Sequence, residues 1–333
     1  MRFSHSRRTF FALLLLCIVW VVMIANASGQ ISFPSKINCD SVPFAVKLYE
    51  NGDTDKAIEL FNQILKACPN NTEALYYLGL SYKKNGYLGG MRDAFTRLTQ
   101  LQNETRGEVY ADLAYAYAFK DGKTALGYAT QALELGAPPS ANLCWAIAES
   151  NRVPGNYEVS VKNADLAIAQ DKNYTDAYIT KYFALRGLAK FNEAASVLEA
   201  MLKLPGQESS VWRDELAYLH KFETPEIAPT VAVAAKDPTY TAKEVSKKPV
   251  VYSKPEPRYT EPARRADLTG TTMLRVLLTA QGIVADTHII TWLPLGLTDE
   301  AVWAAKRIKF TPAVKDGKPV SQWIQIQYDF NLY

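Results

Sequence analysis

Hydrophobic positions along the chain follow different rhythms in different stretches. Between about Asn38 and Pro205, apolar residues recur three and four apart, in paired runs separated by turn residues, as amphipathic helices require. Phe44, Ala45 and Leu48 mark one helix, Gly52 and Asp53 a turn, and Ala57, Phe61 and Ile64 a second helix that stops at Pro69. The scheme returns with Leu78, Gly79, Tyr82, Gly86, Phe95 and Leu98, more loosely with Leu113, Ala114, Tyr117, Ala125 and Ala132, and from Trp145 to Ala169. It is firm again at Tyr178, Tyr182, Leu185, Ala194, Leu198 and Met201, so the period is about 34 residues. Val211, Trp212, Leu216 and Leu219, with Arg213, Asp214 and Glu215 between them, predict a capping helix over 209–222. From Glu223 to Pro257 no period persists, and Pro225, Pro229, Pro238, Pro249, Pro255 and Pro257 predict an extended linker. Residues 258–333 then change to a mixed pattern. A short helix is expected over 260–266, and Leu274, Val276 and Leu278 alternate along a strand that turns at Gln281-Gly282 and returns over 284–292. A helix entered from Thr298 is expected over 299–309, with Ala301, Ala304, Ala305 and Ile308 inward. A last strand, Val320 to about Leu332, sets Ile324, Ile326, Tyr328 and Phe330 against Gln325, Gln327 and Asp329.

The helical part, 38–222, resembles tetratricopeptide (TPR) repeats. Small residues at Ala45, Ala57, Gly79 and Ala194 let paired helices approach, while Phe61, Tyr82 and Phe95 fill the space between hairpins. Met91 stands where the family prefers Ala, so altered packing of the second hairpin is expected. Stacked hairpins leave a concave face lined by the first helix of each pair. In the first copies that face carries Tyr49, Tyr76, Lys83, Lys84 and Tyr115, candidates for a protein-binding groove whose ligand is not named by the pattern; a merely solvated face fits the same residues. In this register Cys39 opens the first helix and Cys68 closes the second, and antiparallel helices bring those ends together. A Cys39–Cys68 disulfide is therefore expected, with Cys144 left free beside Trp145.

A second resemblance rests on the last quarter of the chain. Tyr259-x-x-Pro262-Ala263-Arg264, Gly270, Gln281-Gly282, Leu297-x-x-x-Ala301, Phe310-x-Pro312-Ala313 and Gly317-x-Pro319-Val320 precede an alternating strand. This order is similar to the C-terminal domain of TonB energy transducers. The resemblance implies a small α+β domain whose exposed strand accepts an extended segment of an outer-membrane receptor by strand addition. The expected strand is the last, with Ser321, Trp323, Gln325, Gln327 and Asp329 as partner-binding residues, although a solvated strand face alternates in the same way. The fold class expected is thus multidomain: an all-α TPR solenoid, a linker and a TonB-like α+β domain, with residues from Arg258 folding independently. Full energy transducers carry a Ser and a His in an N-terminal membrane helix that engages the motor proteins ExbB and ExbD. Between Phe10 and Ala27 there is neither, so coupling to ExbB and ExbD is not implied here, whereas partner binding is.

Residues 1–27 read as an address. Arg2, Arg7 and Arg8 precede an uncharged run from Phe10 to Ala25 and an Ala25-Asn26-Ala27 site, the pattern of a signal peptide. The alternative is an anchor in the inner membrane; either places the remainder in the periplasm. A net charge of +3 and the lack of a Lys/Arg run exclude a phosphate-tracking surface, so no nucleic-acid partner is expected. Gly122-Lys123-Thr124 looks like the end of a phosphate loop, but Tyr117 stands where its first Gly belongs. His220 and His288 stand alone in the pattern, and no nucleophile elbow or metal-ligand spacing occurs. The expectation is a protein-binding protein, not an enzyme, without a cofactor. Its partners are an outer-membrane receptor or another envelope component, and a second protein on the repeats. A non-energised scaffold that uses the C-terminal domain for docking or dimerisation remains the alternative.

Overall fold

The computed structural model describes residues 36–101, 104–206, 209–222 and 238–332. The address read over 1–27 and the first part of the linker, 223–237, lie outside the described residues.

Hairpins α1 (Val42–Glu50) with α2 (Thr54–Ala67), α3 (Thr72–Lys84) with α4 (Leu88–Gln100), α5 (Gly107–Ala118) with α6 (Gly122–Glu134), α7 (Ala141–Arg152) with α8 (Tyr157–Gln170) and α9 (Thr175–Gly187) with α10 (Phe191–Met201) stack as a solenoid. α11 (Ser210–Phe222) follows as the cap. Side-chain oxygens of Asn71, Asp121 and Ser140 accept from backbone N–H groups at the starts of α3, α6 and α7, which fixes where those helices begin. Leu48, Phe61, Ile64, Leu75, Phe95, Leu98 and Leu113 form one continuous core across the first hairpins. Gly79 is needed there, because a Cβ at that position would overlap the Phe95 ring. Met91 is fully buried in the same core, where its flexible thioether fills the volume left by the neighbouring rings. Cys39 and Cys68 are joined by a disulfide with Cα atoms 5.9 Å apart, and Cys144 is a buried free thiol.

The second part contains β1 (Thr239–Tyr240), β2 (Val250–Ser253), α12 (Glu261–Arg265), β3 (Gly270–Leu278), β4 (Val284–Thr291), α13 (Leu297–Ala305), β5 (Lys309–Thr311), β6 (Ala313–Lys315) and β7 (Lys318–Phe330). The main sheet runs β1-β7-β3-β4, with β1 parallel to β7 and β7–β3–β4 antiparallel; β6 pairs with β7, and β2 with β5 apart from them. Ala301, Ala304 and Ala305 of α13 share a core with Leu274, Val276, Ile326 and Tyr328.

Sequence and structure part at several places. The helix expected over 299–309 runs from Leu297 to Ala305, because residues 309–311 are drawn into pairing with β2. Thr298 does not cap it: its hydroxyl accepts from Leu293 N–H and donates to Leu293 C=O, closing the loop ahead of the helix. The stretch read as linker is folded from residue 238 onward, since Val250 and Val251 give β5 its hydrogen-bonding partner and Thr239–Tyr240 lie along β7. The two parts also share one apolar core. Tyr182, Phe183 and Trp212 of the last hairpin and cap cluster with Leu274, Ile289, Trp292 and Leu297.

Candidate protein-binding site

β7 is the strand on which the site is built. Its alternation sorts cleanly: Ile326, Tyr328 and Phe330 are buried, and Gln325, Gln327 and Asp329 are exposed. One edge pairs with β3 from Gln322 to Phe330. On the other, β1 covers only Ser321 and Gln322. Among the described residues no strand pairs with that edge from Trp323 to Phe330. Gln327 shows which way the free main-chain groups point, because its C=O accepts from the Lys254 ammonium at 2.8 Å. Successive residues of a strand alternate, so the main-chain groups of Gln325 and Asp329 face the same way and those of Ile326 face β3. The Lys254 ammonium also lies 4.7 Å from the centre of the Tyr328 ring. A lysine laid along an unpaired edge discourages indiscriminate pairing.

The five residues expected to bind a partner have different surroundings. Ser321 is buried and its hydroxyl accepts from Ala280 N–H at 3.1 Å. Trp323 lies under Arg275, 5.0 Å from its guanidinium, and meets the Tyr218 ring edge-on at 5.8 Å. Gln327 donates to Asp329 at 2.8 Å, and Thr271 donates to the same carboxylate oxygen at 2.7 Å. These bonds hold the Asp329 carboxyl below its ordinary value, Thr271 contributing most.

On the repeats, each candidate groove residue is held by a neighbouring side chain. Lys83 bonds both carboxylate oxygens of Asp112 at 2.7 Å. Burial nevertheless pushes the Asp112 carboxyl up, ahead of the opposing pull of Lys83. The Arg106 guanidinium lies 3.7 Å from the Tyr76 ring centre, and the Lys84 ammonium 5.3 Å from that of Tyr49. Tyr115 packs against Trp145 and Phe119 at 5.6 and 5.3 Å, and burial raises its hydroxyl well above the usual range.

Between the two parts sits a buried ionic cluster that no local pattern marks. Glu215 of α11 is 1 % exposed and accepts from the Tyr182 hydroxyl, from Ile289 N–H at 3.0 Å and from His288 Nδ1 at 2.9 Å. The other His288 nitrogen, Nε2, meets Arg186 Nη2 at 2.8 Å. With arginine obligately a donor, Nε2 accepts and Nδ1 carries the proton given to Glu215. His288 is therefore not solitary. Arg92–Asp267 at 2.7 Å, Lys306–Asp214 at 2.6 Å and a Ser209–Asp299 bond at 2.6 Å tie further points of the same contact. Among the described residues no group of His, Cys, Asp or Glu converges as metal ligands do, and no helix is long and apolar enough to cross a membrane.

Comparison with known families bears directly on the domain that carries this free edge. Residues 255–332 match the family model of the Gram-negative bacterial TonB protein C-terminal. Residues 47–86 match a TPR repeat model. The curated Protein TonB of Vibrio cholerae serotype O1 is 31 % identical over 103 residues, which is 28 % of this chain and 42 % of that protein. The chain thus spans less than half the length of this relative. Among solved structures, the MamA protein is 23 % identical with a TM-score of 0.39, over 48 % of this chain and 86 % of its own. YrrB, described as a TPR protein with an unusual peptide-binding site, is 16 % identical at 0.42, over 56 % of this chain and 93 % of its own. Both matched modules are of the protein-interaction kind.

Proposed function

We propose that this chain is a periplasmic protein that joins two partners, with the TonB-like domain docking an outer-membrane transporter or related envelope component and the TPR array recruiting a second protein. The free β7 edge from Trp323 to Phe330 carries the reading. An extended segment laid there gains main-chain bonds at Gln325, Gln327 and Asp329, with selectivity from alternate side chains. The Lys254 ammonium has to leave Gln327 C=O for this to happen, which ties docking to a local rearrangement. The ionic contact between domain and repeats favours the scaffold version, in which the relative position of the two partners is set and no proton-driven work is done.

The test is titration of the full chain with extended peptides from outer-membrane transporters, followed by nuclear magnetic resonance. Gln327→Pro removes an outward-facing donor while leaving the β3 ladder in place. Binding is expected to fall at least ~10-fold, the order of one or two lost hydrogen bonds. Unchanged affinity in a variant with unchanged circular dichroism would remove β7 from the proposal.

A further inference from the structure

A cleft of about 550 Å³ opens at the head of the free β7 edge. One wall is sheet, with Arg275 of β3 and Trp323 and Gln325 of β7; the other is Tyr240 and Thr241, where β1 ends. Register sets Arg275 directly beside Gln325, and Trp323 shares their face two residues back along β7. Arg275 is exposed, and its guanidinium lies over the Trp323 ring, 5.0 Å from the centre. The charge is thereby carried from β3 across to β7, towards the edge left open beyond β1. The ring backs the guanidinium, and one N–H donates to the Tyr218 hydroxyl at 3.3 Å. Among the described residues no carboxylate pairs with Arg275. The lining of the cleft holds neither Asp nor Glu, and its histidine, His288, is bonded to Glu215 and Arg186. At the far wall Glu244 accepts from the Thr241 N–H and hydroxyl at 2.7 and 2.6 Å. The Lys315 ammonium lies there too, 4.2 Å from the centre of the Tyr240 ring.

We infer that this cleft receives an acidic side chain of the strand that docks on β7, a glutamate in line with Gln325 whose carboxylate takes N–H groups of Arg275. The inference rests on the reading of β7 as a docking edge and adds a rule of selection to it. Main-chain bonds accept any extended segment, whereas a guanidinium with no acid of its own sorts acidic segments from neutral and basic ones. Strands lie ~4.8 Å apart, so β3 and an added strand are separated by about twice that, with β7 between them. A long carboxylate side chain meeting an arginine already bent over β7 spans the gap. A planar guanidinium also suits a carboxylate better than any other side chain, because its paired donors match both oxygens. β1 occupies the edge at Ser321 and Gln322, so a docked strand stops there and its acidic residue lies at the end nearest β1.

The probes are acetyl-Thr-Val-Glu-Val-Thr-Val-Thr-amide, the same peptide with glutamate fifth instead of third, and both sequences with glutamine in place of glutamate. The two placements allow for either strand direction, and the blocked ends leave the side chain as the only charge. Each is titrated into the full chain at low salt and followed by nuclear magnetic resonance. One glutamate peptide is expected to bind at least ~10-fold more tightly than its glutamine counterpart, the order of a hydrogen bond to a charged group. Arg275→Gln is expected to bring the two to the same affinity. Equal affinity of glutamate and glutamine peptides for the parent, or a preference that survives Arg275→Gln, overturns the cleft while docking on β7 stands. Binding by none of the peptides overturns both. The comparison within the parent decides by itself should the variant fail to fold.

Discussion

Burial alone would hold the Glu215 carboxyl protonated, but the hydrogen bond from His288, the charge of Arg186 and the Tyr182 hydroxyl outweigh it and lower its pKa. The folded value lies below the ~4.3 of an unfolded glutamate, so the stability Glu215 contributes is present above that pH and is lost as pH falls through the folded value. Glu215→Ala leaves Arg186 and His288 facing an empty position, and a loss of about 3–5 kcal/mol is expected in urea unfolding at neutral pH. Asp176 has the opposite sign. Burial first, and the charge of Glu149 second, push its carboxyl up to about 7. Its contribution is complete below the ~3.9 of an unfolded aspartate and disappears as pH rises through about 7. Asp176→Asn is expected to raise the melting temperature on the alkaline side and flatten the profile towards acid, as thermal scans across pH will read. Neither behaviour was legible in the sequence. Glu215 was seen only as a polar residue between apolar ones on a cap helix, and its partner His288 is 73 residues away.

Elements were legible in proportion to how long they keep one environment. β7 sits between a core and solvent for most of its length, so its alternation from Gln325 to Phe330 appears directly as burial. Helices such as α2 and α10 are likewise one-sided, with their apolar residues on one face. β2 and β5 are too short to show a period, and they exist because each gives the other a hydrogen-bonding partner. The free edge itself was anticipated only through resemblance, and Lys254, which lies on it, was not anticipated at all. Lys254→Ala should bare the Gln327 carbonyl, and the variant is expected to bind edge-seeking peptides more tightly and to self-associate more readily. Peptide titration beside sedimentation velocity checks both, and a variant unchanged in each would deny the lysine its blocking role. At the first hairpin, which has a neighbour on one side only, the Cys39–Cys68 bridge constrains a loop of sequence separation 29. Cys39→Ser with Cys68→Ser should cost up to about 3.5 kcal/mol by loop entropy, measured in guanidinium with the oxidised parent as reference.

At the scale of the whole molecule, the solenoid ends by packing on the sheet instead of on water. α11 gives Val211, Trp212 and Leu219 to the last hairpin and Glu215 and Tyr218 to the β-domain, where the Tyr218 ring stacks on His288 at 4.0 Å. Sequence periodicity marks the amphipathic face of such a helix and is silent about a second covered face made of Glu and Tyr. That is why the apolar contact between the repeats and the part from Arg258 onward was not expected, although the two share one core. A fragment of residues 258–333 should therefore unfold at lower denaturant than one of residues 238–333, and both below the full chain. Equal midpoints in all three would show that the contact adds no stability. The ladder between β3 and β7 runs antiparallel from Gly270–Phe330 to Leu278–Gln322. Tension along a strand seated on β7 loads those rungs together, in shear, whereas a pull across the sheet would open them one at a time. Traction passing through the ladder meets Asp267 just before β3 and Arg92 of α4 beyond it, and on the other face passes from His288 to Glu215 of α11. If a partner docks on β7 as proposed, the repeats serve as ballast against which that partner is held taut.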